Sequence, residues 1–247
     1  MIPTLGTRLG FLRECIASIE KIKGSEYVVI CPEKALSALF LQGIHPSRVL
    51  SENESPGGAA SAINQGLSYF LSNSKISTVA WIGDDDSLDP DGVMTSLDII
   101  ALNPSFSAVI GYCDYVDEQS TKIYEATPTP RDVSLLSFKG NKIPQPGSIF
   151  RARSLQIAGL LDPQIKYAFD QDLFHRLKRV GQIGINKRRV ATYRWHPDSL
   201  SFNGGRAAVR ESFLLRMKFV PKLLSFVPIL HYLAYLALYP FAKPKLR

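Results

Sequence analysis

Trp81-Ile82-Gly83-Asp84-Asp85-Asp86 closes an apolar run that starts at Thr78 and ends on three consecutive carboxylates. Residues 78–82 read as a strand that runs straight into the aspartates. In open α/β sheets, ligands sit beyond the carboxyl ends of the strands. Three carboxylates in succession repel one another, and a cation is the simplest way to keep them ionised together. Mg²⁺ and similar hard ions take one or two carboxylates and complete their shell with phosphate oxygens and water. In an extended segment alternate side chains share a side, so Asp84 and Asp86 are expected to share one ligand. The competing reading is a solvated acidic turn that continues through Asp89 and Asp91.

Outward from this point the chain alternates helix and strand. Residues 8–22 carry Leu12, Cys15, Ile16, Ile19 and Ile22 at helical spacing. Residues 27–31 (YVVIC) form a short buried strand ended by Pro32. A short helix over 35–41 and a weak strand at 49–50 follow. Residues 59–71 are helical, opened by Pro56-Gly57-Gly58 and apolar at Ala60, Ile63, Leu67, Phe70 and Leu71. Asp89 and Pro90 fit the cap and first turn of a helix to about 102, before a strand over 107–112. This order predicts an α/β sandwich with a mostly parallel central sheet.

After residue 113 the rhythm breaks. Residues 114–147 contain Pro128, Pro130, Pro144 and Pro146 and read as a loop-rich excursion. A strand at 149–150, a short helix over 153–159, a firm helix over 169–180 and a last strand over 189–195 complete the body. The expected organisation is one domain over 1–203, divided into the halves 1–113 and 114–203, with a tail over 204–247.

Composition excludes several classes. A hydrophobic fraction of 45% in 247 residues supports a sizeable core. The three cysteines, Cys15, Cys31 and Cys113, are too few and scattered for a disulfide framework or a zinc site, which fits a reducing compartment. MIPTLGTRLG has no apolar signal core, so no secretory leader is expected. Residues 206–247 hold eight basic groups and one acid, Glu211, which accounts for the whole net charge of +7. The body balances 21 basic against 21 acidic groups, so no basic stripe points to nucleic acid.

Two further residues stand out. His196 follows the last strand and is either a surface histidine or a third ligand to a metal held by the aspartates. Asp170 opens the helix over 169–180, with Asp172 two residues on; it is either an N-cap or a general base for an attacking hydroxyl.

Together these stretches resemble the inverting family-2 glycosyltransferases of the GT-A fold, of the bacterial rhamnosyl- and galactosyl-transferase type. The resemblance covers most of residues 1–203 and implies a nucleotide-binding half over 1–113 and an acceptor half over 114–203. It rests on Ile2-Pro3-Thr4-Leu5-Gly6-Thr7-Arg8, on Gly57-Gly58-Ala59-Ala60-Ser61-Ala62-Ile63-Asn64-Gln65-Gly66-Leu67, on the acidic triplet, on Phe169-Asp170-Gln171-Asp172-Leu173-Phe174-His175-Arg176-Leu177 and on Tyr193-Arg194-Trp195-His196-Pro197-Asp198-Ser199-Leu200-Ser201. It implies that Pro3, Thr4 and Arg8 border the nucleotide and that Asn64 lies near the nucleotide and the metal. It implies that Asp84, Asp85 and Asp86 bind ribose, diphosphate and metal, with Asp86 the foremost direct ligand. Asp170 aligns with the catalytic base, Asp172 orients or caps, and His196 reaches the metal or the diphosphate. The chain departs from the pattern in three places: only Met1-Ile2 precede Pro3, the second strand ends Cys31-Pro32-Glu33, and Ile63 stands where an arginine is usual. The resemblance implies a divalent metal (Mn²⁺ or Mg²⁺), a UDP- or dTDP-sugar donor, and a saccharide or lipid-linked saccharide acceptor. The alternatives are a sugar-1-phosphate nucleotidyltransferase and a non-catalytic GT-A-like binding protein.

The tail is apolar as well as basic. Residues 223–242 (LLSFVPILHYLAYLALYPFA) carry no formal charge and are flanked by Lys222 and Lys243. Three placements stay open: on an anionic membrane surface, across a membrane, or packed against the body. The expected location is the cytoplasm, peripheral at the cytoplasmic face of the membrane.

Overall fold

A computed structural model describes residues 1–41, 43–45, 48–52 and 57–238. Strands β1 (Ile2–Pro3), β2 (Val29–Cys31) and β3 (Val49–Ser51) pair in parallel in that order. The Met1 amine donates to the Ala80 carbonyl at 2.9 Å, and Ile82 N–H donates to the Met1 carbonyl at 3.2 Å. These bonds join β1 to the segment that begins with β4 (Thr78–Val79). The sheet then continues through β8 (Ile149–Arg151), β6 (Phe106–Val116), β9 (Gln182–Arg194) and β5 (Ser87–Leu88). Strand β7 (Lys122–Ala126) pairs with the far end of β6. The α/β class is as expected. Parallel pairing governs the β1–β3 side and the central β6–β9 pair, while β8, β5 and β7 run antiparallel to their neighbours.

Alternation of side chains along each strand explains the layers. Val29 and Cys31 join Leu12, Cys15, Ile16 and Ile19 of α1 (Leu9–Glu20) in one cluster. Val28 and Ile30, one residue out of step, join Ala60, Ile63 and Leu67 of α3 (Ala59–Leu71) in another. Farther along the sheet, Val109 packs with Val93 and Ile100 of α4 (Pro90–Leu102). Ala108 and Ile110 instead face Leu155 of α7 (Ala152–Ala158) and Leu173, Phe174 and Leu177 of α8 (Phe169–Val180). The short α2 (Leu36–Leu41) contributes Leu39 beside α1.

The expected loop-rich excursion is ordered. Strand β6 runs on to Val116, and β7 returns antiparallel. Four of the five β7 residues are exposed, so no apolar alternation marks it. Thr129 and Asp132 form a reciprocal capping box around Pro130 and start α5 (Pro130–Ser134), which leads into α6 (Leu136–Lys139). The expected boundary after residue 113 therefore falls inside β6, and the one after 203 falls inside α9 (Leu200–Phe219), which kinks at Gly205 (φ 44°).

The tail folds back on the body. Leu215 of α9 joins the main core, and Phe213 stacks on Tyr232 of α10 (Phe226–Leu238) at 4.4 Å. Pro228 sits in the first turn of α10, where its missing N–H costs no helical bond. Among the described residues no helix is long and apolar enough to cross a membrane. The end of the expected apolar segment and its flanking Lys243 lie outside the described residues, as does Pro56.

Gly92 marks the tightest approach of helix to sheet. A Cβ there would lie 1.8 Å from the Arg189 carbonyl oxygen of β9, and buried Asn186 donates to the Gly92 carbonyl at 2.9 Å. Gly92→Ala is expected to lower stability by about 3 kcal/mol, read as a fall in the thermal denaturation midpoint.

Candidate functional site

The acidic triplet lies at the carboxyl end of the β4 segment, beside the end of β1 and of β9. It is a turn and not an extended run: Asp86 N–H donates back to the Gly83 carbonyl at 3.3 Å. The alternation of an extended segment, on which a ligand shared by Asp84 and Asp86 was expected, does not apply within this turn. The hydroxyl of Thr4, at the end of β1, donates to Asp84 Oδ2 and accepts from Gly6 N–H at 2.9 Å. Asp86 is almost fully buried, and its Oδ1 accepts the backbone N–H of Arg194 at 2.9 Å. Asp85 Oδ2 lies 2.5 Å from His196 Nε2. Asp198 N–H donates to His196 Nδ1 at 3.2 Å, which assigns the ring proton to Nε2 and makes the histidine a donor to Asp85.

Asp84 Oδ1, Asp85 Oδ1 and Asp86 Oδ2 stand outside these bonds. Two of them converge: a Cβ built on Gly83 would lie 2.8 Å from Asp85 Oδ1 and 3.0 Å from Asp86 Oδ2. Glycine is what leaves that space open. Burial raises the Asp84 carboxyl above its ordinary range, against the hydrogen bond from Thr4. Burial, with the neighbouring Asp85 charge, raises Asp86 further. A bound cation would reverse that pressure. The donor set is hard oxygen, as Mg²⁺ or Mn²⁺ requires. Among the described residues no cluster of three or more His, Cys, Asp or Glu side chains forms a metal cage by itself. The protein's share therefore matches an ion that draws its remaining ligands from a diphosphate and water.

Arg194 is the hub of the site; the sequence places it in the closing stretch 193–201 but assigns it no role. It is 6% exposed. Its Nε donates to the Asp85 carbonyl at 3.1 Å, Nη1 to the Glu118 carbonyl at 3.2 Å and to Ser120 Oγ at 2.9 Å, and Nη2 to Glu14 at 3.0 Å. Its guanidinium lies over the Phe11 ring, 4.1 Å from the centroid. Arg8 borders the same cluster, bonded to Glu118 at 3.2 Å and to Asp198 at 2.5 Å. Pro3 precedes Thr4 at the strand end. Thr4, Arg8, the triplet and His196, separated by up to 192 positions in the chain, thus form one wall.

Asn64 is committed elsewhere. Its amide donates to the Leu161 carbonyl at 2.8 Å and accepts from Leu161 N–H at 2.9 Å, tying α3 to the segment before α8. Asp170 lies in the first turn of α8. Its Oδ2 accepts from Asn141 at 3.0 Å and its Oδ1 from Gln171 N–H at 2.7 Å, while burial pushes the carboxyl up to about 6. The loop 140–148 links this helix to the triplet's strand, because Gln145 from the same loop donates to the Trp81 carbonyl at 3.0 Å. Beneath it, Trp81 stacks on Phe150 at 4.8 Å, and Phe150 meets Phe174 of α8 at 6.0 Å. Asp172 pairs with Arg176 at 2.7 Å one turn on, a structural contact that also gathers the carbonyls of Ala158 and Gly159.

With this geometry in hand, the comparisons with known proteins are informative. In complex with UDP-GlcNAc, TarS of S. aureus superposes with a TM-score of 0.66 at 12% identity, over 99% of this chain and 75% of TarS. A mannosyltransferase of Pyrobaculum calidifontis, in complex with GDP-Man and Mn²⁺, gives 0.61 at 18% identity, over 98% of this chain and 70% of that one. The fold is that of these glycosyltransferases. In sequence, the chain is 25% identical over 175 residues to an uncharacterized glycosyltransferase of Rickettsia typhi, covering 68% of this chain and 53% of the relative. A second, from Rickettsia prowazekii, is 26% identical over 148 residues, 57% of this chain and 45% of the relative. The chain thus spans about half the length of the curated relatives it matches. No family model matches it.

Gly83→Ala places a methyl against Asp85 Oδ1 and Asp86 Oδ2. The substitution is expected to weaken Mn²⁺ binding by about tenfold, measured by isothermal titration, with little change in far-ultraviolet circular dichroism.

Proposed function

We propose that this protein is a metal-dependent inverting glycosyltransferase that moves a sugar from a nucleotide-diphosphate-sugar to a hydroxyl acceptor in cell-surface polysaccharide or glycolipid synthesis. The observation that carries the reading is the pair of free carboxylate oxygens of Asp85 and Asp86, converging over Gly83 at a strand end of this fold. The likeness to enzymes crystallised with UDP-GlcNAc and with GDP-Man and Mn²⁺ supports it.

In this reading Asp86 and Asp85 hold a divalent cation, and Asp84, with Thr4, Pro3 and Arg8, faces the nucleotide. The cation, when bound, neutralises charge on the departing diphosphate. His196 acts through Asp85: by donating to Oδ2 it turns Oδ1 toward the shared point. Direct ligation of a metal by His196 Nε2 would break that bond. Asp170 removes the acceptor hydroxyl's proton at its carboxylate. The acceptor oxygen then bonds the anomeric carbon as the bond to the diphosphate breaks, and one such displacement inverts the configuration. Asn141 and Gln171 N–H hold the carboxylate in place. A carboxyl titrating at about 6 is mostly ionised at neutral pH yet basic enough to accept a proton.

The tail supports a place at an anionic membrane surface. Leu223, Phe226, Leu230, Leu233 and Leu238 are all exposed, and the net charge of +7 belongs to the same segment.

Chelation is expected to abolish transfer, and Mn²⁺ or Mg²⁺ to restore it; full activity in excess chelator would defeat the metal assignment. The acid limb of kcat is expected near pH 6, because Asp170 works ionised. Asp170→Asn is expected to lower kcat by at least about 100-fold and leave donor Kd within twofold. The sign for stability is opposite: a raised carboxyl pKa favours the folded state at low pH, and that contribution fades as pH rises through about 6. The asparagine variant should therefore melt no lower than the parent at pH 8. For the tail, flotation with anionic but not zwitterionic vesicles is expected, and loss of flotation on Leu230→Glu with Leu233→Glu.

A further inference from the structure

Helix α8 begins without a cap of its own. Its N-cap residue is Ala168, which makes no capping bond, although an uncapped start is costly. The segment that leads into the helix is held instead from the far end of the chain. The carboxylate of Glu211, on α9, accepts the backbone N–H groups of Lys166 at 3.0 Å, Tyr167 at 2.6 Å and Ala168 at 2.7 Å. The neighbouring Ser212 hydroxyl donates to Gln171 Oε1 at 2.7 Å, and Gln171 is 1% exposed. A Cβ on Gly204 would lie 3.0 Å from the Tyr167 ring, so α9 also closes on this corner by backbone contact. Glu211 is the one acid in a segment with eight basic groups, which is hard to reconcile with a solvating role. Three amide donors on one carboxylate at a helix N-terminus are charge-assisted and favoured by the helix dipole.

We infer that Glu211 is a positioning residue for the reaction: it clamps the entry of α8 and so fixes the first turn that carries Asp170. The segment from 204 to 219 is then part of the catalytic unit and not a detachable appendage. This inference rests on the assignment of Asp170 as the base. Each oxygen has a distinct duty, since Oε1 takes Tyr167 and Ala168 while Oε2 takes Lys166. A glutamine retains the first set and an alanine neither.

The test compares Glu211→Ala and Glu211→Gln in the full-length protein. Amide hydrogen exchange across residues 166–172 is expected to accelerate at least about tenfold in the alanine variant, with exchange in β6 and α4 unchanged. In a transfer assay, kcat is expected to fall about tenfold or more while donor KM stays within twofold, and Glu211→Gln to recover most of the loss. In an Asp170→Asn background, Glu211→Ala should cost nothing further, because both changes remove one function. Unchanged exchange at 166–172 overturns the clamp whatever the activity does. Accelerated exchange with unchanged kcat overturns the positioning role. If Asp170→Asn alone leaves kcat intact, the base assignment fails, and the exchange data still report on the clamp. Should the alanine variant not fold, the glutamine variant carries the same comparison through Lys166.

Discussion

Holding an acidic triplet partly out of water at a strand end, with Asp86 almost fully buried, is the constraint around which this molecule is arranged. Each carboxylate taken out of water demands a partner, and each finds one from a different part of the chain. Thr4 from β1 serves Asp84, His196 serves Asp85, and the Arg194 backbone serves Asp86. These partners meet because β1, the β4 segment and β9 end at the same side of the sheet. The Arg194 guanidinium then extends the network to Glu14, Ser120 and the Glu118 carbonyl, so that α1 and the β6–β7 turn become walls of the site. The burial that makes the triplet expensive also holds Asp84 and Asp86 above their ordinary range, so binding a cation would relieve a cost already built into the fold.

Asp170 and the triplet are held in one body by packing and by a single loop. The aromatic series Trp81, Phe150 and Phe174 crosses from the triplet's strand to α8. Loop 140–148 repeats that link in polar form, with Gln145 on the strand and Asn141 on Asp170. Glu211 completes it from the other side of α8. Three independent contacts therefore hold the entry and first half of α8, the part that carries Asp170.

Much of this was legible from local chemistry. Strands β2 and β3, the helices α1, α3, α4 and α8 and the strand before the triplet follow from apolar periodicity, helped at α4 by its cap, whereas β1 entered only through the family resemblance. Strand β7 was not legible because four of its five residues face solvent and carry no alternation. Strand β9 begins at Gln182 and not near 189, because its bulges against β6 break the period between Gly184 and Arg189. The fused helix α9 was hidden by the Gly-Gly pair at 204–205, where Gly205 takes a φ of 44° that ordinarily ends a helix. Of the site residues, Thr4, Asp84, Asp85, Asp86, Arg8 and His196 do assemble, whereas Asn64 spends its amide on Leu161.

Residue identity and spacing alone determined the fold class, the acidic triplet at a strand end and the unequal distribution of charge, because these depend on neighbours within a few positions. Tertiary structure decided which carboxylate oxygens remain free, which nitrogen of His196 carries the proton, and that Arg194 and Glu211 hold the site together. Most of those facts rest on hydrogen bonds between groups 43 to 180 positions apart, the His196 tautomer alone being set by its neighbour Asp198. Such bonds become fixed only when packing removes the competing water, and no local pattern in the chain records them.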